Sequence, residues 1–161
     1  MSISVSCKVM TFDPGYSAMG WAVGEDNTLL DYGTLYFKER DRLREIYSKV
    51  NALIKEHSPN KLLVEDFRVY REEIRGKHKT AFVIGLLSAI AYENGVDIEL
   101  VNHNRWKAEF KRVYGSVWLK LGNEWEEALQ GGSEHSRDAV MMLLPEIVDL
   151  KRLLTGGKRN V

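Results

Sequence analysis

Asp13 in Phe12-Asp13-Pro14-Gly15, Glu65 behind Leu62-Leu63-Val64, and the pair His135 and Asp138 are the side chains here best equipped to do chemistry. Each closes an apolar run or opens an amphipathic one, so each is expected at the end of an element, where a core surfaces into a cleft. Carboxylates in that setting hold hard divalent cations. The chemistry such a set suits is hydrolysis of a phosphodiester. The ester's anionic oxygens repel hydroxide, and two cations about 4 Å apart neutralise that charge, activate one water and stabilise the leaving 3′ oxygen.

Plainer duties compete for each residue. An Asp before Pro-Gly commonly forms a turn, but the strand expected to end at Asp13 favours a ligand. Glu65 follows three apolar residues, where an unpaired carboxylate is costly to bury, so it needs a cation or solvent. Its neighbour Asp66 points to the other face by strand alternation. His135 taken alone reads as a helix-start residue, and Glu134 beside it competes for the same duty or serves the helix dipole. His135 ranks ahead because it shares a helical face with Asp138, three residues on.

The elements that must position these groups follow from periodicity. Strands are expected at 8–12, 20–24 and 34–37, with turn residues between them, which makes a three-stranded meander. Leu43, Ile46, Tyr47, Val50, Leu53 and Ile54 recur at helical spacing, Ser58-Pro59-Asn60 stops that helix, and a strand follows from Lys61 to Glu65. A helical crossover implies a parallel addition to the sheet. A strongly apolar helix over 80–92 leads through Asn94-Gly95 to a last strand, 97–101. Helices complete the chain at 106–113, around 118–129 and from Ser136 through Leu154, the last bent by Pro145. The fold class is thus α/β, a mixed five-stranded sheet flanked by helices. If the strands ending at Asp13 and Glu65 are neighbours, their carboxylates meet at one end of the sheet and the closing helix delivers His135 and Asp138.

Bulk composition fits this plan. The 161 residues are 44% hydrophobic and 29% charged, enough for one domain, expected over residues 1–155 with 156–161 a loose tail. No run approaches the ~18 consecutive apolar residues of a membrane span, and the N-terminus has no basic region followed by an apolar core. The expectation is a cytoplasmic protein without a membrane partner. Cys7 is the single cysteine, read as a small buried hydrophobe in the first strand. A formal net charge of zero leaves nucleic-acid binding to local charge distribution.

In order along the chain, these residues resemble the RuvC-like Holliday junction resolvases of the RNase H-like superfamily. The likeness runs from about Lys8 to Leu144. It takes in Asp13-Pro14-Gly15 with Gly20, the apolar strand closing on Glu65, the helix with Ile84-Gly85-Leu86-Leu87-Ser88-Ala89, a lysine-rich stretch leading to Gly115, and His135-Ser136-Arg137-Asp138-Ala139. The resemblance implies a homodimer that binds a four-way DNA junction and makes two symmetric nicks with Mg²⁺ or Mn²⁺, two ions per active site. It implies Asp13, Glu65, His135 and Asp138 as the catalytic, metal-binding set, position 135 being Asp in many members and His in others. Asp13 would bridge both ions, Glu65 and Asp138 would each hold one, and His135 would ligate or place the attacking water. The products would carry 5′-phosphate and 3′-hydroxyl ends.

DNA-binding candidates lie where basic residues gather. Arg68, Arg71, Arg75, Lys77 and Lys79 follow Glu65 closely, with Phe67 and Tyr70 interleaved. Such a loop could grip phosphates and wedge an aromatic ring into unstacked bases, either ring being a candidate. Lys107, Lys111 and Lys120 form a second group, with Trp106 and Phe110 read as core. The surplus apolar surface of the 80–92 helix suits a two-fold dimer contact or, alternatively, an interior helix. Three rival readings remain: an RNase H-like nuclease of other branched DNA or RNA/DNA hybrids, a non-catalytic junction-binding protein, and a sugar-kinase-like nucleotide-binding domain.

Overall fold

The computed structural model describes residues 6–66, 77–117 and 123–148. They form β1 (Val9–Asp13), β2 (Ala18–Glu25), β3 (Thr28–Tyr36), α1 (Arg42–His57), β4 (Lys61–Asp66), α2 (Lys77–Glu93), β5 (Asp97–Asn102), α3 (His103–Val117), α4 (Asn123–Gly131) and α5 (Glu134–Ile147). The strands make one sheet in the order β3-β2-β1-β4-β5. β1–β2 and β2–β3 are antiparallel, whereas β1–β4 and β4–β5 are parallel. The meander and the two parallel additions agree with the sequence expectation.

The alternation of β1 and β4 sorts their side chains into two cores. Met10, Phe12, Leu62 and Val64 face α1 and α2, in a cluster with Ile46, Val50, Val83, Leu87 and Ile90. Val9 and Leu63 face the opposite side, with Trp106, Trp125, Ala139, Val140 and Leu143. Thr11, buried on that second side, donates its hydroxyl to the Ala139 carbonyl at 2.7 Å. That bond fixes α5 along β1.

Three expectations are corrected. β3 begins at Thr28 and not near Thr34; it is an edge strand, and Leu29 is the one residue of its first half that is buried, so apolar alternation is too weak there to reveal a strand. The two-residue turn before it, Asp26-Asn27, has positive φ at both positions (47° and 67°), the primed hairpin geometry that Asp and Asn tolerate. Cys7 is exposed and lies two residues before β1, flanked by the polar Ser6 and Lys8. α5 stops at Ile147, with Val148 extended and its N–H on the Leu144 carbonyl; residues 149–154, to which the helix was expected to run, lie outside the described residues. Pro145 has no N–H to continue the ladder, and the helix ends within two residues of it. Among the described residues, no helix is long and apolar enough to cross a membrane.

Candidate active site

The register Phe12↔Val64 puts Asp13 and Glu65 at the same level of adjacent parallel strands. Each lies two residues beyond one that packs toward α5 (Thr11, Leu63), so alternation puts both carboxylates on the α3/α5 face. α5 brings its first turn to the same point. Ser133 caps that turn, its hydroxyl accepting the Ser136 N–H at 3.1 Å, and Thr34 of β3 bonds the same hydroxyl at 2.5 Å. Gly20, opposite Asp13 in the β1–β2 ladder, matters sterically: a Cβ there would overlap the His135 carbonyl group. The missing side chain is what lets the start of α5 rest on β2.

His135 Nδ1 thereby lies 2.9 Å from Asp13 Oδ2. An ionised carboxylate only accepts, so the imidazole donates. Across the site, His103 Nδ1 is 2.5 Å from Glu65 Oε1, and Trp106 donates its indole N–H to Glu65 Oε2 at 3.2 Å. Burial, first, holds the Glu65 carboxyl above its ordinary pKa; the His103 hydrogen bond opposes this, while the charges of Asp13 and Asp138 add to it. Asp138 is likewise raised, chiefly by burial and then by Asp13, with Lys107 the leading opposing charge. Three carboxylates thus feel one another across a partly dehydrated space. A group with that repulsion and all-oxygen donors suits hard divalent cations. Among the described residues, no three His, Cys, Asp or Glu side chains close into a ready metal cage. Two of the carboxylates are instead each tied to an imidazole.

Beside this group a cleft of about 260 Å³ is lined by Phe110, Leu129, Glu134, Arg137, Asp138 and Met141. Glu134 opens onto this cleft and acts on Asp138 through its charge, whereas His135 reaches Asp13. Lys107 lies within electrostatic reach of Asp138 and over the Trp106 ring, 5.3 Å from its centroid. Lys111, one turn on, is exposed. Lys79 sits 5.2 Å from the Tyr16 ring centroid, which Arg42 also approaches, at 4.5 Å. Phe67, Arg68, Tyr70, Arg71, Arg75, Lys120 and the 156–161 tail lie outside the described residues, as does the side chain of Lys77.

Sequence reasoning missed His103, and it read Trp106 as core alone. Trp106 is indeed buried, but its N–H serves Glu65. The available signal was a His directly after a strand parallel to the one carrying Glu65. Tyr16 and Arg42 had no signal in spacing: Tyr16, in the turn between β1 and β2, meets Arg42 at the start of α1 and Lys79 at the start of α2.

The same arrangement of strands and helices occurs in solved resolvases. RuvC of Thermus thermophilus in complex with a Holliday junction substrate superimposes with a TM-score of 0.68 at 21% identity, over 86% of this chain and 91% of that one. The fold is the one seen in RuvC. The yeast mitochondrial Holliday junction resolvase Ydc2 matches this RuvC-like fold with a TM-score of 0.61 at 12% identity, over 96% of this chain and 82% of that one. The fowlpox virus resolvase, solved with Holliday junction DNA, gives 0.54 at 12% identity, over 94% and 99%. In sequence, the chain is 35% identical over 72 residues to the crossover junction endodeoxyribonuclease RuvC of Prochlorococcus marinus (strain MIT 9312), which is 40% of this chain and 46% of that protein. The match thus spans about half the length of that relative. No protein-family model matches the chain.

Proposed function

We propose that this chain is a metal-dependent, structure-selective DNA endonuclease that resolves four-way (Holliday) junctions by paired nicks. The observation that carries the reading is the convergence of Asp13, Glu65 and Asp138 at one end of a RuvC-like sheet, with His135 against Asp13. The names of the similar proteins favour a junction over other nucleic acids.

Asp13, Glu65 and Asp138 would hold two Mg²⁺ or Mn²⁺ ions. When bound, the ions supply Lewis-acid neutralisation of the phosphodiester and a water of lowered pKa. The remaining work falls to the chain. His135, donating to Asp13 now, is within reach to orient the attacking water or join the ligands. Lys107 brings a positive charge to the rim beside Asp138, and with exposed Lys111 it would meet phosphates. Lys79, with Arg42 on Tyr16, would do so on the α1/α2 side. Phe67, Arg68, Tyr70, Arg71, Arg75, Lys77 and Lys120 complete the proposed DNA contacts. We assign the protein a single nuclease domain, 1–155, working in the cytoplasm as a homodimer. α2 supports the dimer: it buries Val83, Leu87 and Ile90 but leaves Phe82 62% and Tyr92 87% exposed.

The test is cleavage of a mobile four-way junction beside linear duplex, a three-way or flap structure and an RNA/DNA hybrid, each with Mg²⁺, Mn²⁺ or EDTA. Paired metal-dependent nicks confined to the four-way junction are expected. Asp13→Asn should abolish them and leave junction binding intact. Cutting of flaps or hybrids instead would replace the substrate; no cutting with either metal would overturn the catalytic reading.

A further inference from the structure

Glu65 differs from the other carboxylates in having both oxygens engaged by one helix. His103 and Trp106 are the first and fourth residues of α3, hence on one face, and their rings meet edge-on with centroids 5.5 Å apart at 80°. His103 holds Oε1 at 2.5 Å and Trp106 donates to Oε2 at 3.2 Å. An indole N–H can only donate, and this one is buried with its ring, so its geometry is set by packing and not by solvent. The start of α3 is itself held in place, because β5 runs directly into it and pairs in register with β4, Glu65 opposite Val101.

We propose that His103 and Trp106 are positioning residues that clamp the Glu65 carboxylate for metal binding. The proposal rests on the metal-dependent nuclease reading above. The physical need is clear. Glu65 has a long, rotatable side chain and is repelled by Asp13 and Asp138; free, it would swing away from them, and the ligand set would open. Two donors from a rigid helix hold it inward and leave further lone pairs on each oxygen for a cation. The arrangement has a symmetry of roles: His135 steadies Asp13 from α5, and His103 steadies Glu65 from α3. Hydrogen-bond partners of ligating carboxylates tune metal affinity, typically by about 10–100-fold on removal.

The experiment measures Mn²⁺ binding to the full chain by isothermal titration calorimetry, without DNA, alongside cleavage kinetics over a range of Mn²⁺ concentrations. His103→Ala should weaken Mn²⁺ binding by about 10–100-fold. The metal concentration for half-maximal cleavage should rise in parallel, while KM for the junction stays unchanged and kcat at saturating metal largely recovers. His103→Asn, whose amide can reach the place of Nδ1, should restore part of the affinity. Trp106→Phe keeps a buried ring and removes only the N–H, so it repeats the test should His103→Ala fold poorly. Wild-type Mn²⁺ affinity in these variants, with or without a fall in Tm, overturns the clamp and leaves the nuclease reading standing. Failure of the unmodified chain to bind Mn²⁺ overturns both.

Discussion

Three carboxylates sharing one end of a sheet are a burden to the fold whenever no cation is present. Glu65 and Asp138 are both raised by burial and by their acidic neighbours, so each holds its proton more tightly folded than unfolded. Their part of the stability is fully present below the unfolded pKa and is lost as pH rises through the raised folded pKa. The metal-free protein should therefore lose stability from the ordinary carboxylate range upward. Asp138→Asn should raise the metal-free Tm near neutral pH by about 2–4 °C, equivalent to ~1 kcal/mol, and at the same time abolish cleavage. Mg²⁺ should raise the wild-type Tm more than that of the variant. Thermal melts at several pH values, with EDTA or Mg²⁺, check all three; a variant less stable than wild type in EDTA would show that Asp138 is structural. At this scale much of the candidate site's geometry was legible. Asp13, Glu65, His135 and Asp138 each stand where an apolar run meets an end, and the structure draws them together. His103 was harder to read, because its contact with Glu65 follows from the parallel pairing of β5 with β4 and not from any spacing to Glu65.

Elements place these residues, and the contact between β2 and α5 is the most exacting. At Gly20 any side chain would meet the backbone of His135 and Ser136, atoms that cannot rotate away. Gly20→Ala should push the first turn of α5 outward, costing about 1–3 kcal/mol as overpacking does. Cleavage should fall further than stability, by roughly 100-fold, since about 1 Å of misplacement can cost that much. Metal-dependent cleavage and urea melts of the variant measure both; wild-type activity would mean that α5 tolerates the shift. Ser133→Ala tests the same turn more gently. It removes the cap to Ser136 and the contact with Thr34, at an expected cost of about 1 kcal/mol. Elements with two buried faces or a clean helical stripe were readable in advance: β1, β4 and α1 are of this kind. β3 was half hidden because an edge strand needs few apolar residues, and the end of α5 was misjudged because Pro145 sits in an apolar run that continues past it.

For the whole molecule, the open question of assembly comes down to α2. The sequence carried its surplus of apolar residues plainly, but could not tell an interior helix from one with a free face, since both read as nearly all apolar. Among the described residues, α2 packs on one side only. Val83, Ile84, Leu87, Ile90 and Ala91 are buried against the sheet and α1, while Phe82 and Tyr92 stand open and a Cβ at Gly85 would meet nothing. Phe82, Gly85, Ala89 and Tyr92 lie along one helical face. A two-fold contact through that face would bury the large rings of both copies around small residues that allow close approach. Two active sites on one dimer would let both nicks occur within a single binding event. Phe82→Glu places a charge on the exposed ring position and leaves the inner face untouched, so it should convert dimer to monomer without lowering the Tm by more than a few degrees. Sedimentation equilibrium checks the mass. Cruciform-plasmid cleavage checks the consequence: wild type should linearise the plasmid, whereas the variant should accumulate the singly nicked circle. A variant that remains dimeric and still linearises would move the interface elsewhere on the molecule, and a monomeric wild type that still makes paired cuts would remove the need for α2 contact altogether.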